Sequence, residues 1–468
     1  MKTPLTLAFF IFCAITAVAA KNSPIALHPD NPHYFLWRGK PTILLTSGEH
    51  YGAVLNLDFD YVTYLKELAA HKFNLTRTFP GAYVEPPNTF KIAGNTLAPA
   101  SGRFICPWAR SPLPGYANGG NKFDLSKWDD AFFDRLTDFM REASKRAIVV
   151  ELNLFTPFYE EKIWDVAPVN AKNNINGIGN VARTNVYTLD RNGGILTVHE
   201  AMVRKLVSEL NRFDNLYFEL CNEPYFGGVM LDWQFHIADI IVDTEKRLPN
   251  KHLISWNVAN GSKQVVTPHP SISIFNFHYA SPPATVALNY SLNKIIGLNE
   301  TGFRGTNNLP YRMEAWEFIL AGGGLYNNLD FSFSPGHERG DFIYPDSQPG
   351  GGNSQLRGDL SILREFINSL DFVRMKPDAS FIKSGIPQNV HAYALAETGK
   401  QYAAYFFSGT NAVNLSPGLS LPPGRYRAEW IDVLSGKPIK TDRFSSNEDT
   451  VIMSPECRGE LALRILRN

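Results

Sequence analysis

The sequence predicts a (β/α)8 barrel, an α/β fold, followed by a small all-β sandwich domain. Short apolar runs alternate with helix-period stretches between residues 41 and 375, and short alternating strands with Gly, Pro and Asn turns follow residue 376. Strands separated by helices pair in parallel through crossover connections. Eight such units over about 330 residues match a barrel at the long end of its usual size. The 468-residue chain has room for both domains.

Eight short apolar runs carry the barrel prediction, because buried parallel strands read as nearly continuous hydrophobic segments. In chain order they are Thr42–Ser47, Asn74–Phe79, Ile148–Phe155, Leu216–Asn222, Leu253–Val258, Ile272–Tyr279, Ile295–Asn299 and Leu325–Phe333. We therefore predict a barrel domain over residues 21–375.

Amphipathic helices are predicted in most intervals between these runs. Asp58 is expected to cap the first helix, and Thr197 with Glu200 forms a capping box ahead of another. Apolar stripes at helical spacing continue around Trp233 and Leu363. The interval 259–271 is too short for a full helix.

Residues 376–468 are predicted to form an antiparallel β-sandwich, because alternating strands are divided by closely spaced turns. The predicted strands are Val390–Leu395, Gln401–Ser408, Leu419–Leu421, Tyr426–Val433 and Leu461–Leu466. The domain either binds a polysaccharide or shields one end of the barrel, and the pattern does not decide between these roles.

Residues 1–20 have the pattern of a secretory signal peptide. Lys2 precedes an apolar run that ends in Ala17-Val18-Ala19-Ala20, and this run is too short to span a bilayer. Cleavage after Ala19 or Ala20 is expected, with a lipoprotein anchor at Cys13 as the alternative. The mature protein is expected to be secreted or periplasmic, with no membrane association.

The charge balance and the aromatic content of the chain indicate which kinds of binding partner to expect. The 45 basic and 45 acidic side chains cancel, so no net charge attracts nucleic acid or an anionic membrane. The 8 Trp, 19 Tyr and 32 Phe residues suit either an extended core or an uncharged ligand that stacks on aromatic rings. The oligomeric state is not predictable from this composition.

No metal or other cofactor is predicted. Thr46-Ser47-Gly48 provides no His-x-His ligand pair on the first strand, and Gly322-Gly323-Gly324 precedes the eighth strand, at the wrong end for a phosphate site. After the signal peptide, Cys106, Cys221 and Cys457 remain. They lack zinc-ligand spacing, and a Cys106–Cys457 bridge and three free thiols both remain possible.

Two long irregular loops, Gly81–Asp124 and Thr156–Ile195, follow the second and third strands. Loops of this length are usually functional, and in a barrel they lie at the carboxyl end of the strands, where active sites form. Trp108 and Trp164 in these loops are candidate sugar contacts, and the loops also carry Tyr83, Tyr116 and Tyr187.

Polar side chains end several of the predicted strands. Glu223 ends the fourth strand and Glu300 the seventh, so the two carboxylates are expected almost opposite each other across the mouth of the barrel. An apolar strand that ends in a carboxylate is costly unless the group meets a partner or a substrate. Two facing carboxylates are the minimal equipment for cleaving a glycosidic bond.

The motif Asn222-Glu223-Pro224, together with Glu300, resembles clan A of the glycoside hydrolases, most closely cellulase-like family 5 and its relatives. The resemblance implies that Glu223 is the acid/base, that Asn222 holds the sugar 2-hydroxyl, and that Glu300 is the nucleophile. It also implies that Arg77, in Phe73-Asn74-Leu75-Thr76-Arg77, and Tyr279 steady the nucleophile.

Two departures separate the chain from family 5. That family usually has His-x-Tyr on strand six, whereas Phe277 stands at the histidine position here and His278 is adjacent to Tyr279. Family 5 also usually has a tryptophan on strand eight, and the run 328–333 contains none. A sister family of the clan fits equally well.

Further polar and aromatic strand-end residues have both a substrate-binding and a structural interpretation. Glu49, His50 and His278 either contact the sugar or form satisfied buried pairs. Trp256 either stacks on a sugar ring or packs in the barrel.

Arg77 also has two interpretations. It either steadies the nucleophile or forms an ordinary buried ion pair, for example with Glu151 or Glu219.

The resemblance implies a retaining glycosidase acting on a β-linked oligo- or polysaccharide through two glutamates. Retention requires carboxyl groups about 5–5.5 Å apart, with Glu300 ionised and the pKa of Glu223 raised so that it acts as the acid. A non-catalytic carbohydrate-binding barrel and a transglycosylase of the same clan are the alternatives. The sugar, the linkage, and endo or exo action are not predicted.

Overall fold

The computed structural model describes residues 23–468, apart from the side chains of residues 410, 411, 457 and 458. The predicted signal peptide lies outside the described residues. Among those described, no helix is both long and apolar enough to cross a membrane. Cys106 and Cys221 are buried free thiols, and the side chain of Cys457 is outside the described set.

The predicted barrel is confirmed, with all eight strands parallel and in the predicted order. The barrel strands are Leu44–Gly48, Leu75–Thr78, Val149–Asn153, Leu216–Glu219, Leu253–Asn260, Ile272–His278, Ile295–Glu300 and Leu325–Leu329. We number them 1 to 8. Strand 1 pairs with strand 8, and pairing continues in sequence around to strand 2.

Asn74 closes the barrel between strands 1 and 2, which share no regular ladder. Its side-chain oxygen accepts from Leu45 N at 2.9 Å, and its Nδ2 donates to Ile43 O at 2.9 Å. The side chain therefore replaces ladder hydrogen bonds that the backbone does not make.

The helices around the barrel are Tyr61–Ala70, Asp130–Lys145, Ile195–Leu210, Leu231–Glu245, Ala284–Asn289, Asn308–Leu320 and Ser354–Asn368. None follows strand 5 among the described residues, as the short interval predicts. The predicted caps were wrong. Asp60 caps the first helix by accepting from Val62 N and Thr63 N, and the Thr197–Glu200 pair lies inside a helix that begins at Ile195.

A three-stranded antiparallel sheet, Ala26–Leu27, Phe35–Trp37 and Lys40–Thr42, covers the amino end of the barrel. Phe35 and Trp37 form one apolar cluster with the first inward side chains of several barrel strands, such as Leu44 and Leu75. Because this end is filled by apolar side chains, the open mouth is at the carboxyl end of the strands.

The predicted antiparallel β domain is also confirmed. Its strands are Lys376–Pro377, Ile382–Ser384, His391–Glu397, Gln401–Asn414, Gly418–Ile431, Pro438–Val451 and Glu456–Arg467. The predicted strands Leu419–Leu421 and Tyr426–Val433 belong to one long strand, whose pairing register shifts between Leu421 and Gly424. The Pro438–Val451 strand was not predicted, because most of its side chains are exposed or half-exposed and it has few apolar residues.

The β domain packs on the outer helices of the barrel. Tyr405 stacks on Trp316, with ring centroids 5.5 Å apart. Arg312 bridges the two domains by pairing with Asp359 of the barrel at 2.6 Å and with Glu460 of the β domain.

Candidate active site

The two predicted catalytic glutamates meet at the mouth of the barrel. One carboxylate oxygen each from Glu223 and Glu300 and a ring nitrogen of His278 all lie within 4.8 Å of one another. Glu223 is 9% exposed and Glu300 5%. This upper limit is shorter than the roughly 6.5–9.5 Å separation of inverting glycosidases and places the pair in the close range of retaining ones, about 5–5.5 Å.

Three donors surround the carboxylate of Glu300. Its Oε1 accepts from Tyr279 OH at 2.6 Å. Its Oε2 accepts from Tyr51 OH at 3.0 Å and from Arg77 Nη1 at 3.2 Å. These three hydrogen bonds fix the orientation of the carboxylate, and the guanidinium places a positive charge beside it.

Arg77 makes the contacts expected from both of its interpretations. Its Nη1 reaches Glu300, while Nε donates to Glu151 Oε1 at 3.1 Å and Nη2 donates to Glu219. Nη2 also donates to Asn222 Oδ1 at 2.9 Å. The guanidinium is fully buried, and it links Glu300 to two acids deeper in the barrel.

The pKa values of the two deeper acids, Glu151 and Glu219, are shifted in opposite directions. Burial and the charge on Glu219 raise the pKa of Glu151 well above its usual range. Burial would also raise the pKa of Glu219, but Arg77 and its hydrogen-bond partners outweigh it and lower that pKa. Two adjacent buried carboxyl groups do not both ionise, so we assign the proton to Glu151.

Glu223 accepts two hydrogen bonds from groups near the cavity. Its Oε2 accepts from Tyr159 OH at 2.8 Å, and its Oε1 lies 3.2 Å from His278 Nδ1. Burial raises the pKa of Glu223, but the hydrogen bond and charge of His278 and the Tyr159 hydroxyl outweigh it and lower the pKa. The predicted raised pKa is therefore wrong for this arrangement of side chains.

Asn222 is fixed beside Glu223. Its Oδ1 accepts from Arg77, and its Nδ2 donates to Tyr159 OH at 2.8 Å and to Thr156 Oγ1 at 3.3 Å. Both ends of the amide are therefore held, and its edge lines the cavity.

His278 and Tyr279 both reach the mouth although they are adjacent in sequence. Consecutive strand residues normally point to opposite faces. Here the register with strand 7 skips one residue, from Phe277 opposite Leu298 to His278 opposite Glu300, and Tyr279 has a left-handed φ of 50°. This local irregularity brings both side chains to the carboxylates without the intervening residue of His-x-Tyr.

Left-handed backbone recurs in the site. Tyr51 has φ 64° and Glu223 has φ 39°, in addition to Tyr279. Residues other than glycine rarely adopt this conformation, and such strain is concentrated at functional sites, where the surrounding structure imposes it.

The glutamates open into a cavity of about 470 Å³. Most of its wall is aromatic or apolar, and the polar groups lie close to the two carboxylates. The lining residues are His50, Tyr51, Phe79, Tyr83, Glu85, Phe90, Leu97, Thr156, Tyr159, Asn222, Glu223, Phe226, Asn260, Tyr279, Glu300, Phe303 and Arg304. Ring faces beside a few fixed polar groups suit a sugar, which has both apolar faces and hydroxyl edges.

The sequence did not identify three of the polar contacts in this cavity. Tyr51 directly follows Glu49-His50 at the end of strand 1, so its position could have been noticed. Tyr159 and Glu85 are in the long loops, where no periodicity indicates which side chains point inward. The two loop tryptophans predicted as candidate sugar contacts, Trp108 and Trp164, are buried in packing, as are Tyr116 and Tyr187. Tyr83, which the sequence did not single out as a contact, lines the cavity.

Trp256 does not line this cavity. It points away from the barrel interior, where its Nε1 donates to Gln234 Oε1 at 2.9 Å and its ring packs against Phe235 of the helix Leu231–Glu245. Its neighbours on strand 5, Ser255 and Asn257, point inward instead, so strand alternation turns Trp256 outward.

Glu49 is also placed away from the cavity. Its carboxylate accepts from Gly52 N at 2.9 Å, Ala53 N at 3.2 Å and Thr96 Oγ1 at 2.5 Å. Of its two predicted interpretations, the structure favours a satisfied buried group that fixes a loop. Burial raises its pKa to about 7 despite these hydrogen bonds.

Glu223, His278 and Glu300 are the described residues whose atoms could jointly ligate a metal ion. The existing contacts suit hydrogen bonding better. His278 Nδ1 lies 3.2 Å from one carboxylate and 3.4 Å from the other, and the Arg77 guanidinium is already beside Glu300. A fixed positive charge at that distance opposes a bound cation.

The chain is similar in structure to several glycoside hydrolases. A Bacteroides vulgatus protein assigned only provisionally as a glycoside hydrolase aligns over 95% of this chain and 82% of its own, with 14% identity and a TM-score of 0.69. A family 5 glycoside hydrolase from the same species aligns over 95% and 93%, with 11% identity and a TM-score of 0.62. A family 30 subfamily 8 xylanase from Clostridium acetobutylicum aligns over 95% and 100%, with 13% identity and a TM-score of 0.51.

No protein-family model and no curated protein sequence matches the chain. At these identities the likeness establishes the fold alone, a (β/α)8 barrel with the β domain included in the aligned length. Function has to be argued from the site itself.

Proposed function

We propose that this protein is an exported retaining glycoside hydrolase that cleaves a β-linked oligo- or polysaccharide. The observation that carries the proposal is the pair Glu223 and Glu300, whose carboxylate oxygens approach within 4.8 Å at the mouth of the barrel. The pair faces a cavity with an aromatic wall, and the fold is one shared with glycoside hydrolases.

In the first step a carboxylate oxygen of Glu300 forms a bond to the anomeric carbon, and the bond from that carbon to the glycosidic oxygen breaks. Glu223 gives its proton to the departing oxygen. Arg77, Tyr51 and Tyr279 hold the Glu300 carboxylate in a fixed orientation before the attack.

For this step Glu223 must be protonated, although its pKa is lowered by His278 and Tyr159. A bound sugar excludes water from the cavity, and desolvation is the largest influence on this carboxyl group, so binding raises its pKa toward the acid form.

In the second step Glu223 takes a proton from water, and the resulting hydroxide attacks the anomeric carbon and releases Glu300. Transfer to a sugar hydroxyl instead of water would make the protein a transglycosylase by the same intermediate. A binding barrel with an idle pair is the non-catalytic alternative.

The first test compares the mature wild type with Glu300→Gln and Glu223→Gln on a panel of β-linked polysaccharides, oligosaccharides and 4-nitrophenyl β-glycosides. Glu160→Gln is the matched control, because Glu160 is half-exposed and pairs with Lys162 outside the cavity. We expect sugar release by the wild type and the control, and a loss of at least about 100-fold in each catalytic variant.

Release by Glu300→Gln at the wild-type rate would refute the nucleophile assignment. Binding of sugars without release by the wild type would favour the non-catalytic alternative. Products longer than the substrate would show transglycosylation.

Export is tested by expressing the full chain in a bacterial host and measuring the intact mass of the exported protein. Loss of 19 or 20 residues is the expected result. A full-length chain retained in the cytoplasm would contradict the proposed signal peptide.

A further inference from the structure

His50 is a buried side chain in the cavity wall that makes no hydrogen bond to the described part of the chain and lies within ion-pair distance of Glu85. It is 9% exposed, and neither ring nitrogen has a hydrogen-bond partner among residues 23–468 as described. Its ring stacks against Tyr51, with centroids 5.6 Å apart, and Tyr51 donates to the nucleophile Glu300. His50 therefore lies on the nucleophile side of the cavity.

Glu85 faces His50 from the long loop after strand 2. It is 2% exposed and also lines the cavity. Its Oε1 accepts from Tyr83 OH at 2.8 Å, and its Oε2 accepts from Asn95 Nδ2 at 2.5 Å. Each oxygen has one donor and can accept a further hydrogen bond, since a carboxylate offers about four acceptor positions.

The two groups are close without being joined. His50 Nε2 lies 3.9 Å from Glu85 Oε1, which is beyond hydrogen-bond distance. Both are buried, and leaving a buried donor or acceptor unsatisfied costs about 1–3 kcal/mol. A hydroxyl placed beside both would accept from the imidazole N–H and donate to the carboxylate.

We propose that His50 and Glu85 form a clamp that binds one hydroxyl group of the sugar whose anomeric carbon Glu300 attacks. This inference rests on the proposed function and makes it more specific. The substrate must then carry a free hydroxyl at that ring position. A deoxy sugar or a branch at that position is rejected.

The clamp is held in place before a sugar binds. Glu49, at the end of strand 1, accepts from Thr96 Oγ1 at 2.5 Å, and Asn56 Nδ2 donates to Thr96 O at 3.0 Å. The same loop returns to Glu85, whose N donates to Leu97 O at 2.9 Å. These bonds tie the loop to strand 1, which carries His50, so little ordering is needed on binding.

The test uses the 4-nitrophenyl β-glycoside that the wild type hydrolyses fastest, together with its single-deoxy analogues at each ring hydroxyl. We compare the wild type with Glu85→Ala, Glu85→Gln and His50→Phe, with Glu160→Ala as the control outside the cavity. Melting temperatures identify variants that fail to fold, and the isosteric Glu85→Gln keeps the packing.

We expect one deoxy analogue to lower the wild-type kcat/KM by at least about 100-fold, since a site that binds a hydroxyl discriminates strongly against its absence. Glu85→Ala and His50→Phe should lower kcat/KM for the parent glycoside to a similar extent. When these two variants act on that one analogue, their kcat/KM should be no more than about 3-fold lower than their own kcat/KM for the parent glycoside. For each of the other analogues, the ratio of its kcat/KM to that of the parent glycoside should be the same in all the proteins.

Equal discrimination by the wild type and Glu85→Ala for every analogue would overturn the clamp and leave the glycosidase proposal intact. If the wild type cleaves no glycoside, the proposed function fails, and calorimetric binding of glucose, mannose, galactose, xylose and arabinose decides the clamp. Binding to the wild type that Glu85→Ala weakens at least about 10-fold would support it. Equal binding, or none to either protein, would overturn it.

Discussion

Replacing Arg77 with methionine tests the view that one buried cation holds the acids of the barrel together. Arg77 is completely buried and contacts three carboxyl groups, on Glu151, Glu219 and Glu300. Methionine fills much of the same space but leaves the charged groups uncompensated. Removing one partner from a buried ion pair typically costs about 3–5 kcal/mol, and we expect Arg77→Met to lose at least that much free energy of unfolding.

The matched control is Arg141→Met, which makes the same chemical change at the surface. Arg141 pairs with Asp138 at 2.8 Å, and both side chains are about half-exposed. Exposed pairs contribute about 0.2–1 kcal/mol, so the control should change the free energy of unfolding very little. Urea denaturation followed by tryptophan fluorescence measures both variants.

The loss in Arg77→Met should depend on pH. Without the guanidinium, the buried carboxyl groups have folded-state pKa values above their unfolded values, so the folded protein binds more protons and its stability falls as pH rises. The deficit relative to wild type should therefore be larger at pH 8 than at pH 5. Adding Glu219→Gln should recover part of it. A loss no larger than that of Arg141→Met, or no pH dependence, would refute the reasoning.

Three further outcomes are expected. Tyr279→Phe removes the 2.6 Å hydrogen bond to Glu300. Because a hydrogen bond to a charged group is worth about 1.5–3 kcal/mol, the kcat on an aryl glycoside should fall about 10- to 150-fold while the fold stays intact. An unchanged kcat would contradict this expectation. The pKa of Glu49 is raised to about 7 from 4.5, so the stabilisation that the protonated Glu49 gives to the folded state is complete below about pH 4.5 and is lost as pH rises to about 7. Urea denaturation should show that the free energy of unfolding of the wild type falls by up to about 3 kcal/mol relative to that of Glu49→Gln over this pH range. Parallel pH profiles for the two proteins would contradict this expectation. Trp256→Ala should lower the free energy of unfolding, because the packing of the ring and its hydrogen bond to Gln234 are lost, while kcat/KM stays within about 2-fold of the wild-type value. A large loss of kcat/KM with an unchanged free energy of unfolding would favour the interpretation of Trp256 as a platform for a sugar ring.

The barrel was predictable because its strands are buried on both faces and therefore stand out as apolar runs. The exposed strand Pro438–Val451 has no such signal, since few of its side chains are buried. Helix starts were less predictable. Several polar residues near a helix start can act as caps. Asp60 is the cap instead of Asp58 because the loop from strand 1 ends at Asp60 and the helix begins at Tyr61.

The predicted site was most accurate where a side chain is fixed by strand position. Glu223, Glu300 and Arg77 converge because they end barrel strands, and strand order alone places them around one mouth. Tyr159 and Glu85 could not be predicted in this way, because they reach the cavity from long loops. Trp256 was predicted from residue type at a strand end, but alternation along the strand decided its direction.

The polar interior near the mouth connects the fold to the proposed chemistry. Barrel interiors are usually filled by branched apolar side chains, yet here Asn276 and Asn299 each donate to Glu219 at 2.7 Å beneath Glu300. Burying these groups costs free energy that an apolar layer would not. The arrangement gives Arg77 a fixed orientation, because Glu219 and its neighbours hold the far side of the guanidinium. In the proposed mechanism Glu300 attacks the anomeric carbon, and a guanidinium that cannot move away keeps its carboxylate in one orientation. The buried acids are therefore best understood as the support that keeps Arg77 against Glu300.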